Sequence, residues 1–162
     1  SAYLGQTNPG YPFAIAGGHM SMRTFLLYIM DPECKPESTD YWVQQICEEG
    51  WKMINKDLHG GCLFSMADFD QISESIKSIF EVPFTPERVL EATYKTFLLG
   101  FALEQKQGIT ATEYDMPSEV FSGQAKGNLK GANFLTRHIF EEVRDRVLGK
   151  LNDDVKAFDV NY

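Results

Sequence analysis

TPERVLEATYKTFLLGFALEQKQG, Thr85 to Gly108, is the stretch that decides the fold. Thr85 offers a capping hydroxyl, Pro86 takes the first helical position, where an N–H has no partner anyway, and Glu87 sets an acid in the first turn. The run to Gln107 is built of helix formers, and Gly108 is a natural C-terminal stop. Val89, Leu90, Tyr94, Phe97, Leu98, Phe101 and Leu103 make this helix apolar over much of its circumference. A helix of that kind has neighbours on several sides, so it is expected at the centre of the core.

Working outward, Ile109 to Ser122 reads as a polar connection around Pro117. A further helix is expected from Gly131 or Asn133 to Gly149, with Phe134, Leu135, Ile139, Phe140, Val143, Val147 and Leu148 as its apolar stripe. The tail beyond Asn152 holds Val155, Phe158 and Val160 and is expected to dock as a short helix or strand. Upstream, Pro83 ends a helix in which Phe69, Ile72, Ile76, Ile79 and Phe80 recur at helical spacing. Ser65 is its expected cap, with the acid Asp68 three residues on. A first helix starts at Ser38 or Thr39 and carries Trp42, Ile46, Cys47, Trp51 and Met53. Gly50 weakens its middle, and Leu58-His59-Gly60-Gly61 stops it.

The expected architecture is therefore mainly α, a single-domain bundle of about four helices with an N-terminal arm. Thr24 to Met30 is a continuous apolar run that suits a buried strand or a buried helix. The alternative is α+β, with residues 24–30 and 62–66 paired in a small sheet. Residues 1–22 contain no Asp, Glu, Lys or Arg and are rich in turn chemistry at Asn8-Pro9-Gly10-Tyr11-Pro12. They form an uncharged arm or, because Gly17-Gly18-His19-Met20 resembles an expression-vector scar, a vector-derived extension. Residues 23–162 are then one globular domain. Tyr3, Leu4, Tyr11, Phe13 and Ile15 of the arm require burial, on their own domain or on a neighbouring subunit.

The formal net charge is −8 and is unevenly spread. Residues 1–122 hold 8 basic and 17 acidic side chains. Residues 123–150 hold Lys126, Lys130, Arg137, Arg144, Arg146 and Lys150 against Glu141, Glu142 and Asp145, a net of +3. An acidic body argues against broad nucleic-acid binding. The longest purely apolar run, Phe25 to Met30, is far short of the roughly 20 residues that span a bilayer, so no membrane partner is expected. Three cysteines are too few for a disulfide scaffold and fit a cytoplasmic location.

Four groups of residues bear on chemistry. Gly123-Gln124-Ala125-Lys126-Gly127-Asn128-Leu129-Lys130-Gly131 leads toward the last helix, and Lys126, Lys130 and Arg137 are anion-binding candidates. Glycines let backbone N–H groups approach a ligand, and a helix N-terminus adds donors. The spacing is not that of a nucleotide-binding P-loop, and the same composition also suits a solvated loop. Cys34, Cys47, His59 and Cys62 have donor types that zinc accepts, but only His59 and Cys62 are closely spaced. Cys34, His59 and Cys62 are thus the metal-ligand candidates, and no cofactor is assigned. His59, Cys62 and Asp68, with Asp70 nearby, are the catalytic candidates: an imidazole to activate a thiolate and a carboxylate to orient it. Tyr41, Trp51, Tyr114 and Phe121 fall at irregular positions beside acids. Aromatic side chains in an acidic surface suit protein binding, and equally suit packing over a core edge.

These observations favour a non-enzymatic protein-interaction module of inhibitor, immunity-type or adaptor role. It presents an acidic, aromatic-containing surface to a basic protein partner, or self-associates as a homo-oligomer. The alternative is a small ligand-binding protein or enzyme using the 123–131 loop or the His59/Cys62 region. A second alternative is a phage or structural subunit assembled through the arm.

Overall fold

The computed structural model describes residues 6–14, 24, 31–61, 67–122 and 135–158. Among these the regular structure is helical throughout, and no strand occurs. The sheet considered from residues 24–30 and 62–66 lies outside the described residues, apart from Thr24, which is helical.

The first expected helix is present but broken. It comprises α1 (Thr39–Gln44), a π-helical turn (Gln45–Glu49), a 3₁₀ turn (Gly50–Met53) and α2 (Ile54–Leu58). Ser38 caps α1 by accepting from the Tyr41 N–H at 3.2 Å. The break has a packing reason. At about 100° per residue, Trp51 would fall roughly opposite Trp42 on an unbroken helix. The wider π turn rotates it back, and Trp42, Ile46, Cys47, Trp51, Met53 and Ile54 are all buried. The Trp51 Nε1–H then donates to the Cys47 carbonyl one turn back at 2.8 Å, so the buried indole N–H has its partner. Gly60, at φ +67°, supplies the left-handed residue of the stop, and the Gly61 N–H reaches the Lys56 carbonyl at 2.8 Å.

α3 is Phe69–Phe80. It begins one turn later than Ser65 would place it, because Asp68 is itself the cap. Asp68 Oδ1 accepts from the Gln71 N–H at 2.9 Å while Gln71 Oε1 accepts from the Asp68 N–H, a complete capping box. α4 is Pro86–Lys106, capped by Thr85 as expected, with Val89, Thr93, Phe97, Leu98, Phe101 and Ala102 buried. It packs against α3, against α2 and its preceding 3₁₀ turn, and against α5, which is the central position its composition implied.

α5 is Arg137–Ala157, capped by Thr136, and corrects both expected ends. Gly149 does not stop it. A Cβ at Gly149 would meet nothing within 4 Å, so this glycine stands on the open side of a helix that continues. Leu151 and Val155 extend the buried stripe past it, and the Tyr94 hydroxyl donates to Asp154. The first part of the tail is thus the last turns of α5.

The 109–122 connection is less polar in place than in sequence. Tyr114, Met116 and Val120 are buried, and Ser118–Phe121 forms a 3₁₀ turn. Met116, Val120, Leu135 and Phe140 make a second apolar cluster beside the main core. Residues 6–14 of the arm pack on the same chain. Phe13 stacks on Tyr114 with ring centroids 5.6 Å apart. The buried Gln6 amide donates to the carbonyls of Val120 and Leu135, each at 2.7 Å, and accepts from the Leu135 N–H at 2.8 Å. One side chain thereby satisfies three backbone groups at the approach to α5.

Candidate functional site

An apolar groove opens between the end of α2 and the length of α3. Its volume is about 490 Å³, and Leu58, His59, Ile72, Ile76, Ile79 and Phe80 form its principal walls. Local chemistry explains its shape. α3 turns Ile72 and Ser73 inward toward α4, and the Ser73 hydroxyl donates to the Phe84 carbonyl, tying the helix to the following link. The apolar stripe does not end where the burial ends. Ile79 is 71% exposed, Phe80 67%, Leu58 45% and Val82 41%. These are four of the six large apolar side chains that stand exposed among the described residues. Isolated exposed apolar residues are ordinary, but three of these four, Leu58, Ile79 and Phe80, line one groove, which makes it the candidate site.

The surroundings are acidic. Residues 56–84 carry Asp57, Asp68, Asp70, Glu74 and Glu81 against Lys56 and Lys77. Asp57 is next in sequence to Leu58, Asp68 precedes α3 and Glu81 follows it, while the lining itself carries Lys56. Helical spacing turns Asp70 and Glu74 away from the stripe. Asp57, Asp70 and Glu81 have no ion-pair partner among the described residues. Glu81 holds a left-handed backbone at φ +55°, the non-glycine positive φ among the described residues.

His59 lies on the groove wall, and its Nδ1 is bonded to the Asn55 carbonyl one turn back. A carbonyl only accepts, so Nδ1 carries the proton and Nε2 is the nitrogen left for other contacts. Asp68 is committed to the α3 capping box, and no hydrogen bond or ion pair links it to His59. Cys62 lies outside the described residues. Among the described residues no three His, Cys, Asp or Glu side chains gather as a metal-binding group. Cys34 stands half-buried beside Tyr41 and Asp31, where burial pushes its thiol above the ordinary value against the pull of the Tyr41 hydrogen bond. Burial pushes the Cys47 thiol up to about 12, so it behaves as a small apolar side chain.

The four aromatic candidates have core-edge positions. Trp51 and Tyr114 are buried, and Tyr41 and Phe121 are half-buried. Acids accept from the two tyrosines. Tyr41 donates to Asp31 at 2.7 Å and Tyr114 to Glu104 at 2.6 Å. Burial, reinforced by these hydrogen bonds, holds both phenols well above their ordinary range. Phe121 lies under the Arg137 guanidinium, 4.2 Å from ring centre to carbon.

Lys126 and Lys130 lie outside the described residues, so the Gly/Lys loop has no described geometry. The remaining bases of that segment are engaged. Arg137 Nη1 donates to both carboxylate oxygens of Asp115, at 2.7 and 2.9 Å. Arg146 meets Asp40 of α1 at 2.7 Å, Arg144 meets Asp145 at 2.9 Å, and Lys150 meets Asp154 at 3.3 Å. The positive segment is therefore largely answered by acids of its own chain. The groove was not foreseen from sequence; its trace there is the stripe of α3, which reads the same whether or not a neighbour covers it.

Among the described residues no helix is long and apolar enough to cross a membrane. Comparison with protein-family models, with curated proteins and with solved structures returns no match.

Proposed function

We propose that this chain is a non-enzymatic protein-interaction module that receives a basic partner protein in the groove between α2 and α3. The observation that carries the reading is the coincidence of exposed Leu58, Ile79, Phe80 and Val82 with Asp57 and Glu81, which have no ion-pair partner among the described residues. Apolar side chains supply binding energy, and acids at the rim raise the encounter rate with a cationic partner. The reading keeps an acidic binding face but moves it from Tyr41, Trp51, Tyr114 and Phe121, whose rings serve the core. Free Cys34 and Cys47 fit a reducing compartment such as the cytoplasm.

The test compares affinity capture on the native chain with capture on Ile79→Asp/Phe80→Asp, followed by purification of whatever the native chain retains. The purified partner is expected to associate more slowly as salt rises and to bind the double variant at least about tenfold more weakly. Equal binding to both chains sinks the reading. A second reading, a small apolar ligand in the same groove, is favoured by the volume of about 490 Å³, within the usual range for such sites. A ligand that raises thermal stability of the native chain but not of the double variant would select it.

A further inference from the structure

We infer that the element this groove receives is an amphipathic α-helix with cationic ends, lying along α3. The inference rests on the proposal that the groove is a protein-docking site and specifies what enters it.

The groove itself narrows the modes of peptide recognition. Strand addition needs an open sheet edge, and no strand occurs among the described residues. Polyproline recognition needs a ladder of aromatic rings, and among the described lining residues Phe80 is the one Phe, Tyr or Trp. Capture of phosphorylated or acidic motifs needs clustered arginines, and the described lining residues include one base, Lys56, and no arginine. A helix laid into an apolar trough is the remaining common mode, and the trough has the matching form. Ile72, Ile76 and Ile79 follow one another at four- and three-residue steps, the spacing of a seam along which a second helix packs, and exposure rises along it from buried Ile72 to Ile79. Leu58 and His59 of the other wall give that helix a second side to lean on. Within the described residues α3 has α4 as its one close helical neighbour, whereas α4 also packs against α2 and α5. An added helix would give α3 a second close helical neighbour beside α4, the one it has among the described residues.

Charge fixes the ends. Along α3, exposed Asp68 precedes the stripe at one end and exposed Glu81 follows it at the other, while Lys56 is the one charged side chain among the described lining residues. From Asp68 to Glu81 the chain rises by roughly 20 Å at about 1.5 Å per residue. A partner helix that matches both ends carries basic residues about 13 positions apart, with apolar residues at i, i+3, i+4 and i+7 between them.

The probe is a synthetic peptide of about 16 residues, with leucines at those spacings and lysines at both ends. It is compared with a scrambled peptide of identical composition, by fluorescence anisotropy at about 0.15 M salt. Far-UV circular dichroism follows helix formation. The targets are the full chain, Ile79→Asp/Phe80→Asp and, as an independent wall variant, Leu58→Asp. The patterned peptide is expected to bind the native chain at least about tenfold more tightly than the scramble, and to gain helix on binding. Each variant, at unchanged thermal midpoint, is expected to lose most of that preference. Equal binding of both peptides, still lost in the variants, overturns the helix inference and leaves the acidic apolar docking site standing. Absence of binding, or binding that ignores all three substitutions, overturns the docking site itself.

Discussion

α3 and α5 are both amphipathic, capped by an Asp or a Thr and striped with apolar residues, yet they meet different surroundings. α5 buries Phe140, Val143, Val147 and Leu151 completely, while α3 leaves Ile79 and Phe80 about two-thirds exposed. α5 lies against α1, the π turn and α4, and Gln6 secures its approach. Its arginines reach acids on α1 and on the 109–122 connection. Among the described residues α3 rests on α4, and Asp70 and Glu81 have no ion-pair partner. The lesson is that an apolar stripe states a need for burial, and the supply of neighbours decides whether the need is met inside the chain. A stripe left half-covered on an acidic element is where a partner gains most.

The comparison breaks most visibly at matched phenylalanines. Phe140→Ala is expected to destabilise by about 3–5 kcal/mol, through lost burial and the cavity left behind, whereas Phe80→Ala stays within about 0.5 kcal/mol. Chemical denaturation of both variants checks this, and similar losses would mean that the groove is covered in solution. Gln6→Ala comes next. It leaves two carbonyls and an N–H without their partner, each at about 1–3 kcal/mol if water does not replace it. A large fall in the thermal midpoint is expected, with hydrogen exchange rising first around Val120 and Leu135.

Glu81→Gly tests α3 from the other side. Removing the Cβ from a left-handed position is expected to stabilise by about 0.5–1 kcal/mol, read as a higher denaturation midpoint. A loss would show that Glu81 makes a stabilising contact that outweighs its backbone. The smallest effect is at Asp115. Burial raises its carboxyl, but the Arg137 hydrogen bond, the Met116 N–H and the Arg137 charge outweigh this and hold it below the ordinary carboxylate value. The folded value is thus lower than the unfolded one, so the contribution is present above about pH 4 and fades as pH falls through the folded value. Asp115→Asn is expected to lose less than about 1 kcal/mol at neutral pH, because the pair is more than a third exposed, and nothing in strong acid. A difference that grows on acidification would reverse the sign of the argument.

Much of the helical framework was legible because its signals are local. Thr85 and Pro86, Ser38, Gly60 and Gly108 each act within a turn of where they stand. The misread boundaries share a cause. Ser65 and Asp68 are both capping residues, and Gln71 decides between them by closing the box on Asp68. Gly149 carries a stop signal, but Leu151 and Val155 had core to bury in and carried the helix on. The site was less legible. His59 lines the groove, yet Asp68 turns to its cap, and the four aromatic candidates marked the edge of the core.

By itself the sequence determined that the protein is mainly helical, where α4 begins and ends, and that its charge is divided between an acidic body and a basic segment. Hydrogen-bonded turns, caps and helical periodicity depend on residues within about four positions of one another, so a linear reading captures them. The tertiary structure alone decided that Trp51 swings in through a π turn, that Arg146 finds Asp40, and that Gln6 meets Leu135 across 129 positions. It also decided that the stripe of α3 remains half open. Burial and ion pairing depend on which distant segments arrive beside a residue, and that is a property of the assembled chain.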